Sequence, residues 1–419
     1  MQKQQRIIFL CYDSPSLEYL FFMTNDIYRK DSFDIVIIGG GVVGLALARA
    51  LNDTPLKIAI LESDVPNFEW DPTHYDQRVS AINLASLNFF IELGIWSAIE
   101  QERMSTYDKM FIWTEKSELE FTANEVNKPE LGFIIENRVI RKVLWEKLAT
   151  QTNIKFLVTR KLQSVIISET VAQLITTAGE RLSAKLLIGA DGANSWLRQQ
   201  LQLAIKKNSY EQSALVTTVQ TELPHQHTAW QHFLATGPLA FLPLADQQHC
   251  SIVWTNPPDT AEFLQNCSEA EFNAQLDLAF DKLGKVSVID RRLTFPLNKQ
   301  HLEQYVQHRV AFIGDAAHTI HPLAGQGVNL GFRDACCLAQ VILKSLADKK
   351  DYSSYSILRK YERERKADNM VFLTAMDVLK YLFADLPEKL ITSRDQGVNM
   401  LNKSQFLKKL FIQRALGDV

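Results

Sequence analysis

The span Arg309–Asp334, RVAFIGDAAHTIHPLAGQGVNLGFRD, gathers residue types able to do chemistry. An apolar run, Val310 to Gly314, delivers an acid, Asp315, into a polar, proline-marked turn that holds His318 and His321. Gly325, Gln326 and Gly327 then precede an apolar helical pattern that includes Val328 and Asn329. Glycines let backbone lie close against a flat ring, and a helix N-terminus presents free N–H groups with about half a positive charge. An acid at a strand end beside such a helix suits a bound cofactor. The two histidines form H-x-x-H, without the glutamate or the third ligand spaced for zinc, so no metal site is expected.

A second glycine cluster lies nearer the start. Gly39-x-Gly41-x-x-Gly44 stands between the apolar run FDIVII and a helical pattern, and Glu62 ends the next apolar run, KIAILES. In that context the first glycine permits a tight turn and the second lets backbone approach a pyrophosphate. The third lets the helix pack on the strand, and the acid accepts hydrogen bonds from a ribose. A further strand–turn–helix, LLIGADGANSWLRQQL, places Asp191 and Gly192 in its turn, with Asn194 or Ser195 as helix cap. It reads either as a capped turn or as another dinucleotide contact.

The elements that position these residues predict an α/β chain. Strand, glycine turn, helix and second strand make a βαβ unit from Phe33 to Ser63. Residues 78–99 and 137–150 carry helical apolar spacing, 154–188 and 214–255 alternate as strands, and the chain after GDAAH turns helical almost to its end. The 419 residues are 46% hydrophobic, enough for more than one domain. Acids and bases nearly cancel, for a net charge of −3, which excludes the basic excess of a nucleic-acid binder. Cys11, Cys250, Cys267, Cys336 and Cys337 form no C-x-x-C, which suits a reducing cytoplasm, and the vicinal pair reads as buried thiols. Arg6–Met23 is broken by Asp13, Pro15 and Glu18, so it reads neither as a membrane span nor as a signal peptide. Residues 1–22 read as a dispensable extension. His225 and His227 are expected to be solvated in a polar loop. Trp230 and Phe233 read as sheet core or as the lining of an aromatic pocket.

The order of these motifs resembles the class A flavin monooxygenases, the group of para-hydroxybenzoate hydroxylase. More narrowly, HPLAGQGVNLGFRD (His321–Asp334) is similar to the signature of the hydroxylases of ubiquinone biosynthesis, as are DQRVSAINLAS, ENRVIRKVLW, GPLAFLPL and RKADN. The likeness runs from about residue 33 to the end. Within the family it is most similar to the branch that hydroxylates a methoxy-methyl-benzoquinol at C6. The resemblance implies a Rossmann-like FAD-binding domain (33–110, 137–213 and 301–345), an interleaved, mostly antiparallel substrate domain (111–136 and 214–300) and a helical C-terminal region (346–419), behind an extension at 1–32. It implies that Asp315 binds the ribityl chain of FAD, that Asp191 lies near the pyrophosphate and the nicotinamide approach, and that Arg78 and Arg138 sit by the phosphates or flavin. The family often has a basic residue just after its ribose acid, whereas Ser63 and Asp64 follow Glu62 here.

The implied activity is insertion of one oxygen of O2 into a polyprenylated phenol or benzoquinol through a C4a-hydroperoxyflavin, with NAD(P)H or another donor as reductant. His321 is the candidate base. Nearly charge-free GPLAFLPL is a candidate wall for the prenyl tail, though it reads equally as sheet core. An oxidase or dehydrogenase would share the FAD motifs. So would a halogenase, whose W-x-W-x-I-P is absent, and a non-catalytic scaffold of a quinone-biosynthesis assembly. A homo-oligomer fits equally. KSQFLKKLFIQRALG (Lys403–Gly417) reads as a basic amphipathic helix that either touches the inner membrane peripherally or docks on the chain or another subunit.

Overall fold

The computed structural model describes residues 31–115, 117–319 and 327–383, with side chains to 370, and scattered positions between 404 and 417. Among the described residues three sheets form. The first is built on the parallel order β19-β11-β1-β2-β8, from β1 (Ser32–Ile38), β2 (Ile58–Glu62), β8 (Ile154–Val158), β11 (Arg181–Gly189) and β19 (Val310–Phe312). Ile35, Ile37, Ile58 and Ile60 are fully buried, because helices α1 (Val42–Ala50), α4 (Asn137–Ala149) and α8 (Gly327–Ala347) leave such strands no wet face. The outer end of β11 instead pairs antiparallel with β10 (Ala172–Thr176), which pairs with β9 (Leu162–Ile167), while β18 (Val306–Gln307) closes the far edge.

The second sheet is mostly antiparallel: β20-β17-β12-β15-β14-β13-β5-β6, with β16 (Val286–Val288) beside β12. Its strands are β5 (Lys109–Trp113), β6 (Glu118–Thr122), β12 (Ile205–Thr221), β13 (Thr228–Leu234), β14 (Gly237–Pro243), β15 (His249–Asn256), β17 (Leu293–Leu302) and β20 (His318–Thr319). Register decides its two faces. Leu215, Trp254 and Leu239 stand opposite one another and face a core that holds Leu264 of α6 (Pro258–Asn266) and Phe272 and Leu276 of α7 (Glu269–Ala279). Proline at the first position of α6 and the Ser268–Glu271 capping box of α7 start these two helices. The other face carries Val216, Val253 and Ala240 and turns towards the core of the first sheet, which Leu242 and Leu244 join.

A three-stranded sheet, β3-β7-β4, comprises β3 (Val79–Asn83), β4 (Met104–Tyr107) and β7 (Gly132–Glu136). Here the helical expectation for 78–99 is corrected. Val79–Asn83 is a strand because β7 supplies its backbone partners, Val79 to Glu136 through Asn83 to Gly132. Asn83 then accepts from Ser86 N–H and caps α2 (Leu84–Glu92), and Gly94, at φ +66°, separates it from α3 (Trp96–Glu100). A second correction concerns His225, which is fully buried. Its Nε2 lies 3.0 Å from Leu244 O and 3.2 Å from Asp246 O, so backbone takes the place of water. His227 is exposed.

After α5 (Trp196–Gln200) and the two sheet segments, the chain ends in α8, α9 (Tyr355–Phe383) and a C-terminal stretch. Lys408, Ile412 and Leu416, each in helical conformation, are buried at intervals of four. Lys408 Nζ lies 2.6 Å from Glu125 Oε1, and Ile412 and Leu416 join the first core. That stripe docks on the chain itself. Phe406, Leu410, Phe411 and Arg414 lie outside the described residues. Among the described residues no helix is long and apolar enough to cross a membrane.

Candidate active site

The glycine turn after β1 is built for close approach. Gly39 has φ +109°, and a Cβ there would lie 2.3 Å from Ala190 O, where the turn meets the end of β11. A Cβ on Gly44 would lie 2.3 Å from Gly39 O, so that glycine seats α1 on the turn. Gly41 differs: it is exposed, extended, and caps α1 without a side chain, and a Cβ there would meet nothing within 4 Å. The first N–H groups of α1 therefore face open space, as a pyrophosphate requires.

Glu62 stands at the end of β2 and accepts from Gly40 N–H at 3.1 Å. Its Oε2 also lies 2.9 Å from Arg141 Nη2, and Arg141 Nε donates to Gly40 O at 2.9 Å. Arg141 thus brings to Glu62 a cation that the sequence after it lacks. Trp145, one turn further along α4, stacks on Phe156 at 3.9 Å between centroids and lies against Gly40. Arg138, from the same helix, points elsewhere. Its Nη2 is 2.6 Å from Glu136 Oε2 and donates to His74 O at 2.6 Å, and its guanidinium lies over Trp70. With Arg103, which also pairs with Glu136 at 2.8 Å, it holds the loop before β3.

Asp191 follows β11. Its Oδ2 accepts from Leu197 N–H, while Oδ1 is buried with no partner among the described residues. Burial raises its carboxyl above the usual range, against the hydrogen bonds from Ser195 and Leu197 that lower it. Ser195 caps α5 by accepting from Arg198 N–H at 3.1 Å. Arg198 itself is buried and reaches Ala316 O at 3.0 Å and Ala193 O at 2.5 Å, tying the Asp191 turn to the Asp315 turn. Nothing in LLIGADGANSWLRQQL marks Arg198 for this role, although it stands three residues after the cap Ser195.

Asp315 sits in a short 3-10 turn, Gly314–Ala316. Its side chain is solvent-accessible, yet enclosure by protein raises its carboxyl, against the field of His318 and Arg78. The two observations meet if it lines a deep cleft. Among the described residues nothing is hydrogen-bonded to that carboxylate. Arg78, exposed, lies over the Phe295 ring at 5.6 Å and so joins Asp315 to the second sheet.

Helix α8 arrives through Gly331, where a Cβ would lie 2.6 Å from Val43 Cγ2 and 3.4 Å from Gly314 Cα. Gly327 opens the helix, and Val328 is half-buried against the core. Asn329 is buried and fully engaged by protein: its Oδ1 accepts from Asn83 N–H and Ser86 Oγ, and its Nδ2 donates to Ala81 O at 2.8 Å. Its side chain fixes α8 to β3. His321, Gly325 and Gln326 lie outside the described residues.

On the second sheet, Val216, Val253, Leu293 and Phe295 are half-buried and share the face on which Arg78 lies over Phe295. The strand Gly237–Pro243 is core instead: Leu239 and Phe241 are fully buried under α6 and α7, and Leu242 is 1% exposed on the other face. Trp230 packs in the same helix-covered core, and Phe233 stands on the opposite face beside Pro238.

The free N-terminus of α1, the unpartnered Asp191 Oδ1 and the accessible Asp315 carboxylate fit a dinucleotide stretched from Glu62 towards Asp315. Fold and site define an FAD-binding flavoprotein with a second, mostly antiparallel sheet. Residues 32–373 match the family described as FAD binding domain. The chain is 36% identical over 386 residues to the 3-demethoxyubiquinol 3-hydroxylase of Escherichia coli, covering 92% of this chain and 98% of that protein. It is 34% identical over 431 residues to the mitochondrial ubiquinone biosynthesis monooxygenase COQ6 of Danio rerio, covering 91% and 89%. The p-nitrophenol 4-monooxygenase PnpA of Pseudomonas putida shares the fold, with a TM-score of 0.76 over 92% of this chain and 98% of that one, at 17% identity. The chain belongs to this FAD-binding family, the FAD-dependent monooxygenases with the para-hydroxybenzoate hydroxylase fold.

Proposed function

We propose that the chain hydroxylates the ring of a polyprenylated phenol or benzoquinol in ubiquinone biosynthesis, using O2 and NAD(P)H or another electron donor. The observation that carries this reading is the second sheet's face. Val216, Val253, Leu293 and Phe295 offer half-buried apolar surface, and positions 214–218, 251–255 and 293–297 on that face hold no charged residue. Such a wall suits a prenyl tail, which gains about 0.8 kcal/mol per buried CH2. The relatives in E. coli and D. rerio, whose names place them in ubiquinone synthesis, support the same substrate class.

Bound FAD would supply the oxygen-activating chemistry. The chain's part is binding and orientation. The N-terminus of α1 would hold the pyrophosphate, Glu62 with Arg141 the ribose, and Asp315 the ribityl chain. Arg78 and Phe295 set the mouth between cofactor and substrate wall, and the apolar face excludes water. A tail of this kind dissolves in membrane, so the reading includes peripheral contact with the inner membrane.

Strains blocked at each quinone hydroxylation step, supplied with this gene, test it. Restored ubiquinone in one of them is the expected result. Rescue of none, with the protein folded and loaded with FAD, overturns it.

A further inference from the structure

Behind Asp315 lies a buried polar cluster that binding and orientation, as described so far, do not use. Asp334 of α8 is fully buried. Its Oδ2 accepts from Gly314 N–H at 3.0 Å and lies 2.5 Å from His318 Nε2. Its Oδ1 accepts from Arg365 Nε of α9 at 2.9 Å and from Asn369 Nδ2 at 3.4 Å. Arg365 is 3% exposed and also holds Asp368 and Asn369, at 2.8 and 2.7 Å. Burial alone would push the Asp334 carboxyl up; the His318 ring and the Arg365 guanidinium overcome it and hold the group below the usual range.

A buried carboxylate is costly unless it is paired and hydrogen-bonded, and this one is held by α9 on one oxygen and holds the Gly314–His318 segment with the other. Gly314 is left-handed, at φ +59°, and a Cβ there would lie 3.3 Å from Val43 Cγ1. Its N–H starts the turn whose next residue is Asp315. The other side of that turn is fixed by Arg198 on Ala316 O and by Leu302 N–H on Ala317 O at 2.8 Å. Asp334 is therefore the charged anchor of a three-residue strap whose middle residue carries the free carboxylate.

We infer that Asp334 is a positioning residue for the cofactor: through Gly314 N–H it sets how the strap presents Asp315, and Arg365 of α9 holds Asp334 in place for that task. The inference rests on the reading of Asp315 as a ribityl ligand. Neither Asp334 nor Arg365 touches the cofactor; each acts through Asp315. This distinguishes it from core packing, which would affect folding and cofactor binding independently of Asp315.

A double-mutant cycle on the full-length, deflavinated protein tests it by titration with FAD, alongside melting of each apoprotein. Asp315→Ala is expected to weaken FAD binding at least about tenfold, and Asp334→Asn about tenfold. The double variant should bind no more than about twofold more weakly than Asp315→Ala alone, because the strap's geometry no longer matters once its carboxylate is gone. Multiplicative losses in the double variant, or wild-type affinity in Asp334→Asn, overturn the inference. Wild-type affinity in Asp315→Ala defeats instead the ribityl reading beneath it. If Asp334→Asn does not fold, Arg365→Lys enters the same cycle with the same two criteria.

Discussion

Arg141 Nη2 stands 2.9 Å from Glu62 Oε2, across 79 residues of sequence. Arg141 Nε also holds Gly40 O, so one guanidinium ties Glu62 to the glycine turn. Without it Glu62 keeps, among the described residues, only uncharged donors, Gly40 N–H and the N–H and hydroxyl of Ser63. Arg141→Gln should weaken FAD about tenfold, the scale of one charge-assisted hydrogen bond, and leave the affinity for FMN, which lacks the adenosine, unchanged. Calorimetric titration with both flavins reads this; equal affinity of variant and wild type for FAD would remove Arg141 from the site.

Two glycines of one motif should fail differently. Gly39→Ala forces a Cβ into Ala190 O in a left-handed turn, so the protein should lose much of its stability or fail to fold. Gly41→Val meets open space in the protein and should fold with a near-native melt, yet lose FAD, because its side chain takes the volume of the pyrophosphate. Thermal melts beside flavin titrations separate the two. A Gly41→Val protein that binds FAD normally places the nucleotide elsewhere.

The apolar face predicts a substrate-specific defect. Val253→Asp puts a charge on the half-buried wall opposite Val216, on a strand that carries none of the residues assigned to FAD. FAD should still bind with native affinity. Turnover of a prenylated phenol should fall by at least about a hundredfold, since an unpaired carboxylate must be desolvated beside the tail. Undiminished turnover would show that the tail lies against another surface.

Acid should destabilise the protein through His301. Burial first, then the charges of His318, Lys366, Lys299 and Lys206, lower its pKa from 6.5 to about 4. The unfolded chain therefore binds more protons between those values. Stability falls as pH drops from about 6.5 to about 4, and this contribution falls no further below. Urea unfolding at about pH 7 and about pH 5 should show a smaller acid loss in His301→Gln than in wild type. Identical losses would show that His301 titrates normally in the folded state.

The parts of this site written locally were legible in the sequence. Gly39, Gly41 and Gly44 are short-range demands of one turn, and the run before Asp315 is apolar because β19 is buried on both faces. What stayed hidden depends on distant partners. Arg198 looks like an ordinary helix residue until Ala316 arrives from 118 residues away, and Arg365 finds Asp334 only when α8 and α9 pack. Periodicity misled at Val79–Asn83, where apolar spacing fits a helix but β7 supplies a ladder. GPLAFLPL was legible as apolar, but only the pairing of Leu239 with Trp254 shows that half of it lies under helices. For His225, polar neighbours suggested water where two carbonyls close over the ring.

The proposed reaction inserts oxygen into the ring of a prenylated phenol. FAD-loaded protein, NAD(P)H and a detergent-solubilised prenylated phenol, run under labelled O2 and followed by mass spectrometry, measure it directly. The product is expected to carry one labelled oxygen atom on the ring, while para-hydroxybenzoate is left unchanged. An unlabelled or unmodified prenylated phenol, with para-hydroxybenzoate hydroxylated efficiently under the same conditions, would rule out the proposed reaction.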